Sequence, residues 1–184
     1  MDPQETARQP LRLAILASPR TGNNWLRTLL VRSYGLKPFA AHDAAEIPWD
    51  ALPLRAVVNL HWLPTPDLLS RLDGFRVLTL ARHPLDTLIS ILHFAPHHEA
   101  TNRWLLGRGG NEDGIRSAAP TSPEFLDYAT GPRPAELFAV TARWWDVPGV
   151  IRVRYEDLVA DTPGELRRIA AEIGAPPVVP PEEA

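Results

Sequence analysis

Leu11-Arg12-Leu13-Ala14-Ile15-Leu16-Ala17-Ser18-Pro19-Arg20-Thr21-Gly22-Asn23-Asn24-Trp25 is the stretch whose reading decides the fold. From Leu11 to Ala17 the apolar character is nearly continuous. That pattern predicts a strand buried on both faces, the habit of parallel sheets. Ser18 to Asn23 contains Pro and Gly and reads as a turn. From Trp25 the apolar residues Leu26, Leu29 and Leu30 follow helical spacing through Ser33-Tyr34 and stop near Gly35. Strand, glycine-containing turn and helix in succession make half of a βαβ unit.

The same pattern recurs outward along the chain. Ala56-Val57-Val58-Asn59-Leu60 reads as a second strand leading to His61. Thr65-Pro66-Asp67 opens a short helix, with Thr as N-cap and Pro in the first turn. Phe75 to Ala81 reads as a third strand, followed by a helix from Pro84 carrying Leu85, Leu88, Ile89, Leu92 and Phe94. Ser122-Pro123-Glu124 opens a short helix, and a longer one is predicted over Ala135 to Asp146. Val150 to Arg154 reads as a fourth strand, and Pro163 to Ile173 as a final helix closed by Gly174. Residues 37–54 are Ala- and Pro-rich and read as a connector with little regular structure. Strands alternating with helices predict a single three-layer α/β/α domain over 1–184 with a mainly parallel central sheet. Within it, residues 1–10 read as a flexible arm, 107–120 as a mobile surface loop and 175–184 as a Pro-rich tail.

Composition narrows the chemistry. The chain has 184 residues, 19 Lys+Arg against 22 Asp+Glu, and a formal charge of −3. Such near-neutrality gives no case for nucleic-acid binding. Hydrophobic content of 45% and charged content of 22% are those of a globular chain. The length lets such a domain bury roughly 70% of its unfolded surface. There is no cysteine, which excludes disulfides, zinc–thiolate sites, iron–sulfur clusters and cysteine nucleophiles. No apolar run approaches the length of a membrane span, and Leu11–Ala17 is too short for a signal peptide. The default expectation is a cytoplasmic protein with no membrane partner.

In sheets of this kind chemistry gathers at the carboxyl ends of strands. That directs attention to the turn at 18–24, His61, Arg82 and Arg154-Tyr155. In the turn, amides at a helix start are unsatisfied donors, Gly22 permits close backbone approach, and Arg20 adds charge. Thr21, Asn23 and Asn24 add neutral donors. The segment suits a phosphate cradle, or equally an ordinary βα turn capped by Asn. It is no Walker A loop, because the first Gly and the Lys after Gly22 are missing. Arg82 suits bidentate phosphate contact, with Ser90 two helical turns on, although a surface Arg and a helix Ser explain the same letters. His61 is a candidate proton acceptor or a structural His. His93, His97, His98 and Glu99 make a weak metal constellation, because Pro96 interrupts the helix that would align them. No metal is expected.

Together these segments resemble the sulfotransferases that use 3′-phosphoadenosine 5′-phosphosulfate (PAPS). Pro19-Arg20-Thr21-Gly22-Asn23-Asn24-Trp25 is similar to that family's 5′-phosphosulfate loop, P-K-S-G-T-T-W. The run from Arg82 through Ser90 to His93-Phe94 resembles its 3′-phosphate segment, R-N-x-K-D-x-x-x-S followed by H-F. His61-Trp62-Leu63-Pro64 resembles the H-L-P that carries the family's catalytic base. Trp144-Trp145 and Arg154-Tyr155-Glu156-Asp157 resemble its W-W and Y-E-D segments. The likeness runs from about Leu13 to Gly174 in family order.

The resemblance implies a P-loop-NTPase-like sulfotransferase fold and transfer of a sulfonate from PAPS to a hydroxyl or amine of a small molecule. It implies His61 as general base and Arg20 as stabiliser of the leaving oxygen. Arg20, Thr21, Gly22, Asn23 and Asn24 would hold the 5′-phosphosulfate, and Arg82 with Ser90 the 3′-phosphate. Trp25 and Tyr155 would bracket the adenine. No metal is implied, since guanidinium groups and oriented amides supply the positive charge. There are departures. Arg20 replaces a Lys, Asn23 and Asn24 replace two Thr, and Asn59 stands where animal cytosolic members have Lys. The family's later R-K-G-x-x-G-D-W-K type stretch has no counterpart. Two other readings therefore stand beside this one: a P-loop-type nucleotide kinase, and a truncated, non-catalytic nucleotide-binding fragment. The acceptor and the oligomeric state are not readable.

Overall fold

The computed structural model describes residues 9–41, 43–97, 104 and 112–184. Five strands form one sheet: β1 (Leu11–Leu16), β2 (Lys37–Ala40), β3 (Arg55–Leu60), β4 (Arg76–Ala81) and β5 (Ile151–Arg154). Their order is β2-β3-β1-β4-β5, and all four pairings are parallel. Seven α-helices accompany them among the described residues: α1 (Asn23–Tyr34), α2 (Pro66–Arg71), α3 (Pro84–Phe94), α4 (Pro123–Thr130), α5 (Pro132–Trp145), α6 (Tyr155–Ala160) and α7 (Thr162–Ile173).

Strand β1 shows why the fold has three layers. Its side chains alternate between faces, and both faces are buried. Leu11, Leu13 and Ile15 pack with Leu26, Leu30 and Tyr34 of α1 and Leu166 and Ile169 of α7. Ala14 and Leu16 pack on the opposite side with Leu68 of α2, Ile91 of α3 and Leu137, Val140 and Trp144 of α5. The expected helix signals operate. Thr65 accepts from the Leu68 amide at 3.3 Å, Ser122 from Phe125 at 3.3 Å and Asp161 from Gly164 at 2.9 Å. Gly35 and Gly174 close α1 and α7 in the left-handed conformation.

The connector expected over 37–54 begins instead with β2. This strand is short, lies at the sheet edge and is largely exposed, so Lys37-Pro38-Phe39-Ala40 shows no core periodicity. An edge position tolerates its proline. The long helix starts at Pro132, earlier than the expected Ala135. The tail lies along α1, with the Val178 and Val179 amides donating to the Ser33 carbonyl at 2.7 and 3.1 Å. Residues 1–8 of the expected arm and 107–111 of the expected loop lie outside the described residues, as do His98 and Glu99. The described part of that loop includes the buried Glu112 and Ile115. No helix among the described residues is long and apolar enough to cross a membrane.

The strand order reverses at β1, which is flanked by β3 and β4. Crevices at such switch points, beyond the carboxyl ends of the strands, are where open α/β sheets hold ligands.

Candidate functional site

The crevice beyond β1 is a cavity of about 450 Å³. Arg20, Gly22, Asn23, Asn24, Trp25, His61, Arg82, Ser90 and Tyr155 all line it. Of the expected site residues only Thr21 does not. It lies on a larger cavity of about 760 Å³ that opens on the other side of Arg82, between α5 and the start of α6.

Backbone geometry builds the turn after β1. Arg20 takes a left-handed φ of 66°, unusual for a side-chain-bearing residue. Gly22 follows with φ 106°, and a Cβ there would lie 2.6 Å from a ring carbon of Tyr155. Gly22 is thus required by conformation and by packing. It is also the N-cap residue of α1, which has no side-chain cap. The reading of the turn as capped by Asn therefore does not hold. The Trp25 amide already donates to the Gly22 carbonyl at 3.0 Å, whereas the Asn23 and Asn24 amides that open α1 have no acceptor within the helix and carry the positive end of its dipole. The Thr21 hydroxyl and the Asn23 carboxamide both donate to the Ser18 carbonyl at 2.8 Å. These two side chains brace the turn, while Asn24 is exposed. The turn is locked to α5 as well. Ser18 Oγ donates to the Leu137 carbonyl at 2.7 Å and accepts from the Thr141 amide at 3.1 Å, and the Ser18 amide donates to Thr141 Oγ1 at 2.8 Å.

Neighbouring strands bring in the remaining groups. Ala81 pairs with Arg154, so Arg82 and Tyr155 leave the sheet side by side. The Arg82 guanidinium lies 4.3 Å from the Tyr155 ring centroid, and Tyr155 meets Trp25 edge-on at 5.8 Å. Arg82 Nη1 donates to the Arg20 carbonyl at 3.4 Å, and its Nε is buried without a partner. Arg20 Nε donates to Ser90 Oγ at 3.1 Å, and its guanidinium sits 4.2 Å over the Phe94 ring. The residues expected to serve two separate anion sites are thus joined by a hydrogen bond. Burial first, and the nearby Arg82 charge second, hold the Arg20 guanidinium below its ordinary pKa. The Arg20 guanidinium nevertheless remains cationic. Among the described residues no carboxylate lies within ion-pair distance of Arg20 or Arg82.

His61 lines the same cavity. Because Leu16 pairs with Leu60, His61 emerges beside Ala17, and its Nδ1 lies 2.8 Å from the Ala17 carbonyl oxygen. That contact selects the tautomer with the proton on Nδ1 and the basic lone pair on Nε2. Asn59, 5% exposed, lines the same wall with its Oδ1 buried and unpartnered. Phe94 and Trp104 complete the wall. They stack at 5.7 Å with 8° between planes, and Trp104 meets His61 edge-on at 6.3 Å. The proximity of Trp104 to His61 was not legible in the sequence, because nothing in the local pattern relates the two residues. Trp144 is core, fully buried, with its indole N–H donating to the Trp62 carbonyl at 2.7 Å. No group of three or more metal-ligating side chains occurs among the described residues.

No family model matches the chain, and no curated protein matches it. Solved structures do. Mouse sulfotransferase SULT7A1 complexed with PAP superposes with a TM-score of 0.61 at 16% identity, covering 91% of this chain and 59% of that one. A sulfotransferase from Alicyclobacillus acidocaldarius gives 0.54 at 16% identity, covering 93% and 85%. Retinol dehydratase in a complex with retinol and PAP gives 0.55 at 16% identity, covering 98% and 66%. The likeness shows the fold: a five-stranded parallel sheet flanked by helices, the sulfotransferase fold. The chain spans 59% of the mouse protein's length.

Proposed function

We propose that this chain is a PAPS-dependent sulfotransferase, moving a sulfonate to a hydroxyl or amine of a small-molecule acceptor. One observation carries the reading. Two guanidinium groups without carboxylate partners among the described residues, Arg20 and Arg82, line one cavity together with a helix start that lacks a side-chain cap and with His61. Charges left unneutralised around a cavity favour an anionic ligand with more than one negative group. Adenosine 3′,5′-bisphosphate and its phosphosulfate have that character.

PAPS supplies the sulfonate. The α1 amides and Arg20 hold the phosphosulfate end, and Arg20 stabilises the charge that develops on the bridging oxygen as its bond to sulfur breaks. Arg82 pairs with the 3′-phosphate. Ser90 accepts from Arg20, which leaves its own O–H to donate to a phosphate. Trp25 and Tyr155, which meet edge-on, offer the base one aromatic surface. His61 Nε2 takes the acceptor's proton as the acceptor atom bonds to sulfur. Adenosine 3′,5′-bisphosphate leaves carrying the electron pair. Retinol and androsterone, named with retinol dehydratase, are hydrophobic, and Phe94 and Trp104 give this cavity a wall suited to such an acceptor.

Calorimetric titration tests the reading. Adenosine 3′,5′-bisphosphate should bind the chain well more tightly than ATP–magnesium. Arg82→Met should weaken that binding by about 10- to 100-fold, the worth of a lost charge-assisted contact. Tighter binding of ATP–magnesium would support the nucleotide-kinase reading instead. A radiolabelled sulfate-transfer assay on this chain then separates an enzyme from a fragment that only binds nucleotide.

A further inference from the structure

The aromatic wall beside His61 hangs on a buried ion pair that lies outside the cavity. Arg133, in the first turn of α5, is 7% exposed, and Glu112 is fully buried. Arg133 Nε donates to Glu112 Oε1 at 3.0 Å, and Arg133 Nη2 donates to the Trp104 carbonyl oxygen at 2.9 Å. The Tyr128 O–H donates to the same Glu112 oxygen at 3.0 Å. Burial, reinforced by the adjacent Glu112 charge, raises the Tyr128 pKa and keeps the phenol a donor. One guanidinium therefore links Glu112 to the backbone of Trp104, with the half-exposed Glu136 at 3.6 Å from its Nη1, and a neutral phenol donates to the same Glu112 oxygen.

Buried ion pairs are poor stabilisers, because desolvation offsets much of their attraction; what they can supply is a fixed geometry. Here the geometry leads into the site. The Trp104 indole, 4% exposed, stacks on Phe94 and meets His61 edge-on. Phe94 in turn lies beneath the Arg20 guanidinium. We infer that Arg133, held by Glu112, is a positioning residue: by fixing the Trp104 backbone it sets the width of the acceptor side of the cavity beside His61. It does so without lining the cavity itself. The inference rests on the sulfotransfer reading for its functional consequence. The coupling of Arg133 to Trp104 stands apart from that reading.

The test uses the full chain labelled with 5-fluorotryptophan, with Trp104→Phe assigning the Trp104 fluorine signal. In Arg133→Met that signal should shift or broaden, while the Trp25 signal and the affinity for adenosine 3′,5′-bisphosphate stay as in the parent. With PAPS saturating and 2-naphthol as acceptor probe, KM for the naphthol should rise on the order of tenfold, with kcat changing much less. Arg133→Met leaves Glu112 buried and unpaired, so Arg133→Met/Glu112→Met is the companion that keeps the interior neutral. It should displace the Trp104 signal in the same way. A Trp104 signal unchanged in whichever of these variants folds overturns the inference. A displaced signal in a chain that neither binds adenosine 3′,5′-bisphosphate nor sulfates naphthol upholds the coupling and defeats the sulfotransfer reading alone.

Discussion

The cavity has two walls built on different principles. The cationic wall is made from the turn that follows β1 and the first residue after β4, so its groups are placed by the ends of paired strands. Arg20 and Arg82 stand together because β1 pairs with β4, and Tyr155 joins them because β4 pairs with β5. The aromatic wall is made from the end of α3 and from Trp104, whose backbone carbonyl is held by Arg133 of α5. Sheet register admits few alternatives, because a one-residue slip would turn buried side chains to the wrong face. A wall held by a few side-chain hydrogen bonds is far easier to alter. The difference suits a site whose donor is constant and whose acceptor is not.

Removing the proposed proton acceptor should have the largest effect. If His61 serves as the general base, His61→Ala should lower kcat by about 10²- to 10⁴-fold. Binding of adenosine 3′,5′-bisphosphate, set by the first wall, should remain within about twofold, since His61 is asked for no part in it. Single-turnover kinetics beside calorimetry would show this separation. Turnover at the parental rate would remove His61 from its role, and loss of both properties would mean that the walls are not independent.

The contrast between the walls also governs what could be read from sequence. Strands β1, β3 and β4 were legible because burial on both faces leaves nearly continuous apolar runs, whereas in β5 the buried Ile151 and Val153 alternate with the exposed Arg152 and Arg154. β2 was not, because Pro38 and its exposed neighbours take their strand conformation from pairing with β3. Arg20, Gly22, His61, Arg82 and Tyr155 were legible as residues that directly follow strands. The inward turn of the Thr21 and Asn23 side chains onto the Ser18 carbonyl was not, because composition cannot say whether a polar group faces a ligand or its own loop. Nor could spacing show that Arg20 and Ser90, 70 residues apart, share a hydrogen bond. Arg133 and Glu112 carried no signal at all. Each looks ordinary in its own segment, and only the fold brings them together.

A smaller effect is expected at the joint between the walls. Helix α5 carries Arg133 at its start and Thr141 further along, where Thr141 Oγ1 accepts from the Ser18 amide and donates to the Leu80 carbonyl at 3.1 Å. Ser18→Ala leaves the Leu137 carbonyl and the Thr141 amide without the buried hydroxyl. It should cost about 1–3 kcal/mol in denaturant unfolding. If α5 braces the turn, affinity for adenosine 3′,5′-bisphosphate should fall severalfold at the same time, while KM for the acceptor moves little. A loss of stability with nucleotide affinity intact would mean that the turn holds its shape from the strand alone.

Arg20 allows the finest test, because its backbone and its side chain make opposite demands. A left-handed φ of 66° costs a side-chain-bearing residue on the order of 1 kcal/mol, and glycine escapes that cost. Arg20→Gly and Arg20→Ala both delete the guanidinium, its bond to Ser90 and its place over Phe94. They differ only in whether the strain persists. Both should therefore lose affinity for adenosine 3′,5′-bisphosphate by similar factors, yet the glycine variant should unfold at higher temperature than the alanine variant, by about 1 kcal/mol in stability. Equal melting temperatures would mean that the turn relaxes once the guanidinium is gone. In that case Arg20 would be bent by its own contacts with Ser90 and Phe94 rather than by the path of the chain out of β1.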